Sequence, residues 1–223
     1  MNNGPSVGEK NFFKYVAIEL AKALKILYKN KIIHRNIKSS TIFLEETDGT
    51  TYVKLGDFSK AIFIKDNISE CLDSYYYSAP EIINGEKYNE KCDLWSFGIT
   101  LYDLYFGDLP YGYKPSKNVI RKMVNDENSF HYKKTNIPSL DKIFDGLFKF
   151  DPEKRLSHEQ LFDLIFNPEF MTKKENEYLL LQKTTSNDID EIKSSNNNCI
   201  ENIINKNEEL NEIKDSEEEE NKQ

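Results

Sequence analysis

Residues 90–106 constrain this chain more than any other stretch. Cys92, Leu94, Trp95, Phe97, Ile99, Leu101, Tyr102, Leu104, Tyr105 and Phe106 fall on every side of the helix they would form. A helix that is apolar all round is buried, so this one must be the centre of a core that other elements enclose. Residues 11–29 supply one of them. There Phe12, Val16, Leu20, Ala23, Leu24 and Leu27 recur at three- and four-residue intervals, which predicts an amphipathic helix. Further helices are expected over 116–125, 139–149 and 158–166, with Pro138 and Pro152 as punctuation before the last two. Ile42-Phe43-Leu44 and Tyr52-Val53-Lys54-Leu55 read as two short strands, joined by the turn-forming run Glu45-Glu46-Thr47-Asp48-Gly49. The expected fold class is mainly α (α+β), a helical bundle carrying a small β-hairpin.

The chain divides by composition. Residues 1–10 are expected to be a flexible N-terminus and 11–183 the globular domain. Residues 184–223 are dominated by Asn, Glu, Lys, Ser and Asp, ending in Glu217-Glu218-Glu219-Glu220. That tail holds too little apolar area to offset the entropy of ordering, so disorder is expected. Its Ile200, Ile203, Leu210 and Ile213 could line one side of a short helix if a partner supplied the missing surface.

Charge and cysteine usage exclude several functions. A net charge of −8 argues against a general nucleic-acid binder, whose affinity comes from clustered Lys and Arg. Cys71, Cys92 and Cys199 show no C-x-x-C spacing and no His cluster, so they read as free thiols and not as a zinc site. No secretory leader and no membrane-spanning apolar run is expected from this sequence. A cytoplasmic or nuclear location, with no membrane or nucleic-acid partner, is the expectation.

Six motifs follow one another in a fixed order. His34-Arg35-Asn36-Ile37-Lys38-Ser39-Ser40-Thr41-Ile42-Phe43-Leu44 comes first, then Leu55-Gly56-Asp57-Phe58-Ser59. Ser78-Ala79-Pro80-Glu81, Asp93-Leu94-Trp95-Ser96-Phe97-Gly98, Phe106-Gly107-Asp108-Leu109-Pro110-Tyr111 and Asp151-Pro152-Glu153-Lys154-Arg155-Leu156 complete the series. In sequence and spacing the chain resembles the eukaryotic protein kinases, of the serine/threonine type, over roughly residues 11–170. The first motif is similar to their catalytic loop and the second to the D-F-G motif. The third is similar to the A-P-E motif that closes the activation segment.

The resemblance implies roles for particular residues. Asp57 would be a metal ligand for Mg²⁺ bridging the phosphates of ATP, and Lys38 would contact the transferred phosphate. Arg35 would pair with the activation segment, where Glu70 stands near the position the family phosphorylates; a fixed carboxylate there could mimic the phosphate, although an exposed loop Glu is the simpler account. Structural roles fall to His34 and Phe58 as packing elements, Trp95 as core, Asp93 as a partner of the loop backbone, and Glu81 with Arg155 as a buried ion pair. Tyr75-Tyr76-Tyr77 would line the pocket for the residue after a phosphoacceptor, or simply pack.

Two positions depart from the family pattern. Asn36 stands where the family has its catalytic-base Asp, and Thr41 where it has a metal-binding Asn. A neutral amide has almost no basicity, and a hydroxyl is a shorter and weaker ligand. Ser59 replaces a permissive Gly. Before residue 34 there is no Gly-rich phosphate loop and no strand Lys; Val16-Ala17-Ile18-Glu19 ends in Glu and lies where a helix is expected. The resemblance therefore covers the C-terminal lobe, with the N-terminal lobe expected to be absent and the binding of ATP and Mg²⁺ weak or lost. The implied function is a pseudokinase, a binding or regulatory module for a protein partner. The alternative is a serine/threonine kinase whose N-terminal lobe is lost from a truncated sequence. Oligomeric state is left open.

Overall fold

Six helices and two two-stranded sheets make up the described part of the chain in a computed structural model, which covers residues 9–64, 75–112, 115–126, 129–135 and 137–171. Helix α1 (Glu9–Lys29) leads into β1 (Ile32–Ile33). A hairpin of β2 (Ile42–Thr47) and β3 (Thr50–Leu55) follows, and β4 (Ile62–Phe63) returns to pair with β1. The helices α2 (Pro80–Ile83), α3 (Lys91–Phe106), α4 (Lys117–Met123), α5 (Pro138–Leu147) and α6 (His158–Ile165) complete the fold. Among the described residues no helix is long and apolar enough to cross a membrane. The expected first ten residues and acidic tail lie mostly or wholly outside the described residues.

The central position expected for α3 follows from its composition. Every residue from Cys92 to Tyr102 is buried, and Gly107 ends the helix in the left-handed conformation, φ 68°. Trp95 sits at the middle, its ring 5.5–5.7 Å from those of Phe130, Phe148 and Phe150. Gly98 permits the close approach of the end of α5: a Cβ there would lie 3.0 Å from the Phe148 ring and 3.2 Å from Leu147. Around this core α1 buries Phe12, Val16, Ala17, Leu20, Ala21, Leu24 and Leu27. Ala23, expected on that stripe, is only half-buried, because Ala17 and Ala21 take the innermost positions.

The hairpin is longer than its sequence signal. Both strands run for six residues, and Asp48-Gly49 alone makes the turn, with φ 53° and 70°. Two successive positive φ values define the type I′ reversal that Asp-Gly favours, so Glu45, Glu46 and Thr47 stay paired opposite Tyr52, Thr51 and Thr50. The expected five-residue turn is thus corrected to two. The β1–β4 ladder, Ile32 opposite Phe63 and Ile33 opposite Ile62, is too short to leave any periodicity in the sequence.

One buried ion pair ties the late part of the chain to α2. The Arg155 guanidinium donates to both carboxylate oxygens of Glu81, at 2.8 and 3.0 Å, and to the carbonyls of Lys149 and Lys91. Both side chains are 2% exposed or less, and the guanidinium lies 5.3 Å from the Trp95 ring. Removing one partner strands a charge in the interior. Arg155→Met should therefore cost about 3–5 kcal/mol in chemical denaturation, and replacing both residues by apolar side chains should cost clearly less.

His158 opens α6 beside Tyr28, the two rings stacked at 4.1 Å. Burial pulls its pKa from 6.5 down to about 4; the Glu159 carboxylate opposes the fall, and Lys91 and Lys31 add to it. Below the ordinary value the unfolded chain takes a proton that the folded chain refuses, so this residue's contribution is lost as pH falls from about 6.5 towards about 4. His158→Phe should remove that part of the acid destabilisation. Urea denaturation of both proteins across this window measures the difference, and equal slopes would contradict the assignment.

Candidate functional site

Three loops meet beneath the hairpin: the stretch after β1, the stretch after β3, and the first turn of α3. The Gly56 N–H donates to the Thr41 carbonyl at 2.9 Å, joining the first two. Gly56 fits closely there, since a Cβ would lie 2.5 Å from the Phe43 ring and would force that ring to move. Asp93 joins the third. Its Oδ2 accepts the His34 N–H at 2.6 Å and its Oδ1 the Arg35 N–H at 2.8 Å. Arg35 is left-handed, φ 63°, a conformation that costs a residue with a Cβ roughly 1–2 kcal/mol. Burial raises the Asp93 pKa to about 6, against the two backbone N–H bonds and the nearby Arg35 charge that favour the carboxylate.

The side chains of the loop point to separate tasks. Arg35 Nε donates to the Lys60 carbonyl at 2.6 Å and Nη1 to the Tyr88 hydroxyl at 3.0 Å. Its expected partner Glu70 lies outside the described residues. His34 is fully buried, with Nε2 donating to the Gly56 carbonyl at 3.0 Å and Nδ1 accepting the Asn36 N–H at 3.3 Å. Burial holds its pKa below the usual value, partly offset by the Gly56 bond and by Asp57, so the ring is neutral. The Phe58 ring lies 4.8 Å from it. Phe58 is nonetheless 50% exposed, which corrects its expected place as a packing element of the core: one side meets His34 and the rest faces outward.

Asn36 and Asp57 are brought together. The Asn36 side chain is 5% exposed and its Nδ2 donates to Asp57 Oδ2 at 2.7 Å. A carboxylate only accepts, so this contact dictates which way the amide faces. The amide oxygen Oδ1 is left buried without a partner among the described residues, at a cost of about 1–3 kcal/mol. Asp57, left-handed at φ 56°, receives a second bond on its other oxygen from Ser59 Oγ at 2.6 Å. The Ser59 hydroxyl is the main influence holding the Asp57 pKa below the usual carboxylate range. Partial burial opposes it, while the Ser59 N–H, the Lys38 charge and the Asn36 amide assist. Lys38 is half-buried and acts on Asp57 through this charge.

Thr41, expected as a weakened metal position, turns its hydroxyl into its own loop. Its hydroxyl, 1% exposed, bonds the Asn36 and Lys38 carbonyls at 3.1 and 2.9 Å and accepts the Lys38 N–H at 3.2 Å. It knits the loop to itself. Asp57 carries one hydrogen bond on each carboxylate oxygen from its own chain. A Mg²⁺ ion there would ask for near-octahedral oxygen ligands beyond this one carboxylate and would keep several of its waters.

Of the three tyrosines, Tyr77 is anchored: its hydroxyl donates to Asp103 Oδ2 at 2.7 Å and lies 3.0 Å from Ser39 Oγ, while its carbonyl accepts from Ser96. Tyr75 lies under the Lys117 ammonium at 4.2 Å, and Tyr76 is 38% exposed. Sequence reasoning missed Tyr88 as a partner of Arg35 and Ser59 as a donor to Asp57. For Ser59 a signal existed, since a hydroxyl two residues after an Asp is well placed for a local bond. Asp93→Ala should leave two buried N–H groups without an acceptor and cost about 2–5 kcal/mol. Hydrogen exchange at the His34 and Arg35 amides should accelerate with it.

Residues 4–166 match the family model described as protein kinase domain. The chain is 32% identical over 156 residues to the serine/threonine-protein kinase atg1 of Dictyostelium discoideum, covering 67% of this chain and 22% of that one. To a putative serine/threonine-protein kinase A of Trypanosoma brucei brucei it is 29% identical over 174 residues, covering 70% and 38%. To the serine/threonine-protein kinase ATG1 of Kluyveromyces marxianus it is 32% identical over 167 residues, covering 65% and 20%. The chain thus spans between 20% and 38% of the length of these relatives.

Proposed function

The chain belongs to the protein kinase family, and from that premise we propose that it is a pseudokinase, a kinase-fold module that binds or regulates a protein partner without efficient phosphotransfer. One observation carries the reading: the group at the base position is the Asn36 amide, and its N–H₂ end is turned to Asp57. A general base contributes about 10²–10⁴ in rate, so its loss costs roughly 3–5 kcal/mol of barrier. An amide can hydrogen-bond a hydroxyl but cannot take its proton. The inward-turned Thr41 hydroxyl supports the same reading. The partner on this reading is a protein, met in the cytosol or nucleus.

A second reading has a specific observation behind it. Lys38 and Asp57 remain where a serine/threonine kinase would use them, and the similar proteins are named serine/threonine kinases. An enzyme that transfers phosphate from ATP to protein Ser or Thr would then work together with sequence outside this chain.

Phosphate transfer decides between them. The chain joined to an intact ATP-binding lobe and given ATP, Mg²⁺ and Ser/Thr peptides should turn over at least about 10²-fold below the ordinary kinase range of about 1–100 s⁻¹. Asn36→Asp with Thr41→Asn should raise any residual rate. A parent chain working within the ordinary range would overturn the pseudokinase reading.

A further inference from the structure

Asp57 receives one hydrogen bond on each carboxylate oxygen from its own chain, from Asn36 Nδ2 at 2.7 Å and from Ser59 Oγ at 2.6 Å. We propose that these two donors replace a divalent cation at Asp57, so that the loop is set without metal and Mg²⁺ has no site there.

The argument starts from what a carboxylate at position 36 would do. Two carboxylates at this separation repel, and only a cation or a shared proton between them relieves the repulsion. Exchanging one oxygen for an N–H₂ turns a repelling contact into a bonded one. Ser59 acts on the opposite oxygen, with a hydroxyl that a glycine would lack. The two substitutions are complementary: each satisfies a different atom of one charged group. They also present hydrogen atoms, the positive ends of their dipoles, where a cation would approach. Asn36 is buried, so water competes poorly for its side of the contact, although Asp57 itself is exposed. The Thr41 hydroxyl adds no ligand, since it is engaged with the Asn36 and Lys38 carbonyls. The side chain of left-handed Asp57, φ 56°, is thereby held by two bonds from its own chain.

This inference is separate from the pseudokinase reading. A chain without phosphotransfer could still bind Mg²⁺, in which case this inference fails and that reading stands.

Thermal unfolding of the full chain, with millimolar MgCl₂ or MnCl₂ against NaCl of equal ionic strength, tests it, together with the electron paramagnetic resonance signal of free Mn²⁺. The parent should show the same Tm in all salts and leave the Mn²⁺ signal undiminished. Asn36→Asp should lower Tm by roughly 5 °C in NaCl, and Mg²⁺ should restore much of the loss. Asn36→Leu, similar in size but unable to donate, keeps the test decisive if the Asp variant does not fold. It should lose stability in NaCl and regain part of it with Mg²⁺. A parent that gains stability saturably with Mg²⁺ or depletes free Mn²⁺ would overturn the proposal. Loss of neither stability nor metal-indifference in the variants would do the same.

Discussion

The two hydrogen bonds from consecutive backbone amides to the Asp93 carboxylate hold this architecture at its functional end. Asp93 lies in the first turn of a helix buried on all sides, where an ionised group has little solvation. Its tolerance there depends on the His34 and Arg35 N–H groups. The exchange is mutual. The core carries a charge because the loop satisfies it, and the loop accepts a left-handed Arg35 because the core fixes it. From that strained residue the next side chains diverge: His34 inward to Gly56, Arg35 to Lys60 and Tyr88, Asn36 to Asp57.

Scaffold and chemistry separate cleanly in this molecule. The bonds that shape the loop use backbone amides, Asp93, His34 and the Thr41 hydroxyl, none of which needs a catalytic base. The Glu81–Arg155 pair, with its extra bonds to the Lys149 and Lys91 carbonyls, closes the other side of the core in the same way. Changing Asp to Asn at position 36 leaves all of these in place, because an amide has nearly the outline of a carboxylate. What changes is the proton-accepting power and the sign of the contact with Asp57. On the reading proposed above, a site altered in this manner keeps its form and loses the reason that form exists for transfer chemistry.

Much of the fold was legible from local pattern. The all-round apolar run of α3 and the stripe of α1 each state a burial requirement that only one kind of packing meets. Asp48-Gly49 announced a reversal, yet the strands flanking it were read too short, since Glu45, Glu46 and Thr47 carry no apolar alternation and gain their pairing from the ladder. The two-residue strands β1 and β4 were invisible, as no period exists over two residues. Phe58 was read as core from its motif, but half of its surface is open, because burial depends on what covers a residue and not on its own apolarity.

The sequence by itself determined the order of the motifs, the family they signal and the identity of the atoms at positions 36, 41 and 59. Composition and spacing are properties of the chain, and no folding is needed to read an amide where a carboxylate is expected. Only the tertiary structure decided where those atoms turn: that Thr41 spends its hydroxyl on its own loop, and that Asn36 and Ser59 converge on opposite oxygens of Asp57. Hydrogen bonds are directional and short-ranged, so residues 21 positions apart acquire a common chemistry only when the packing around α3 has set them within 2.7 Å of each other.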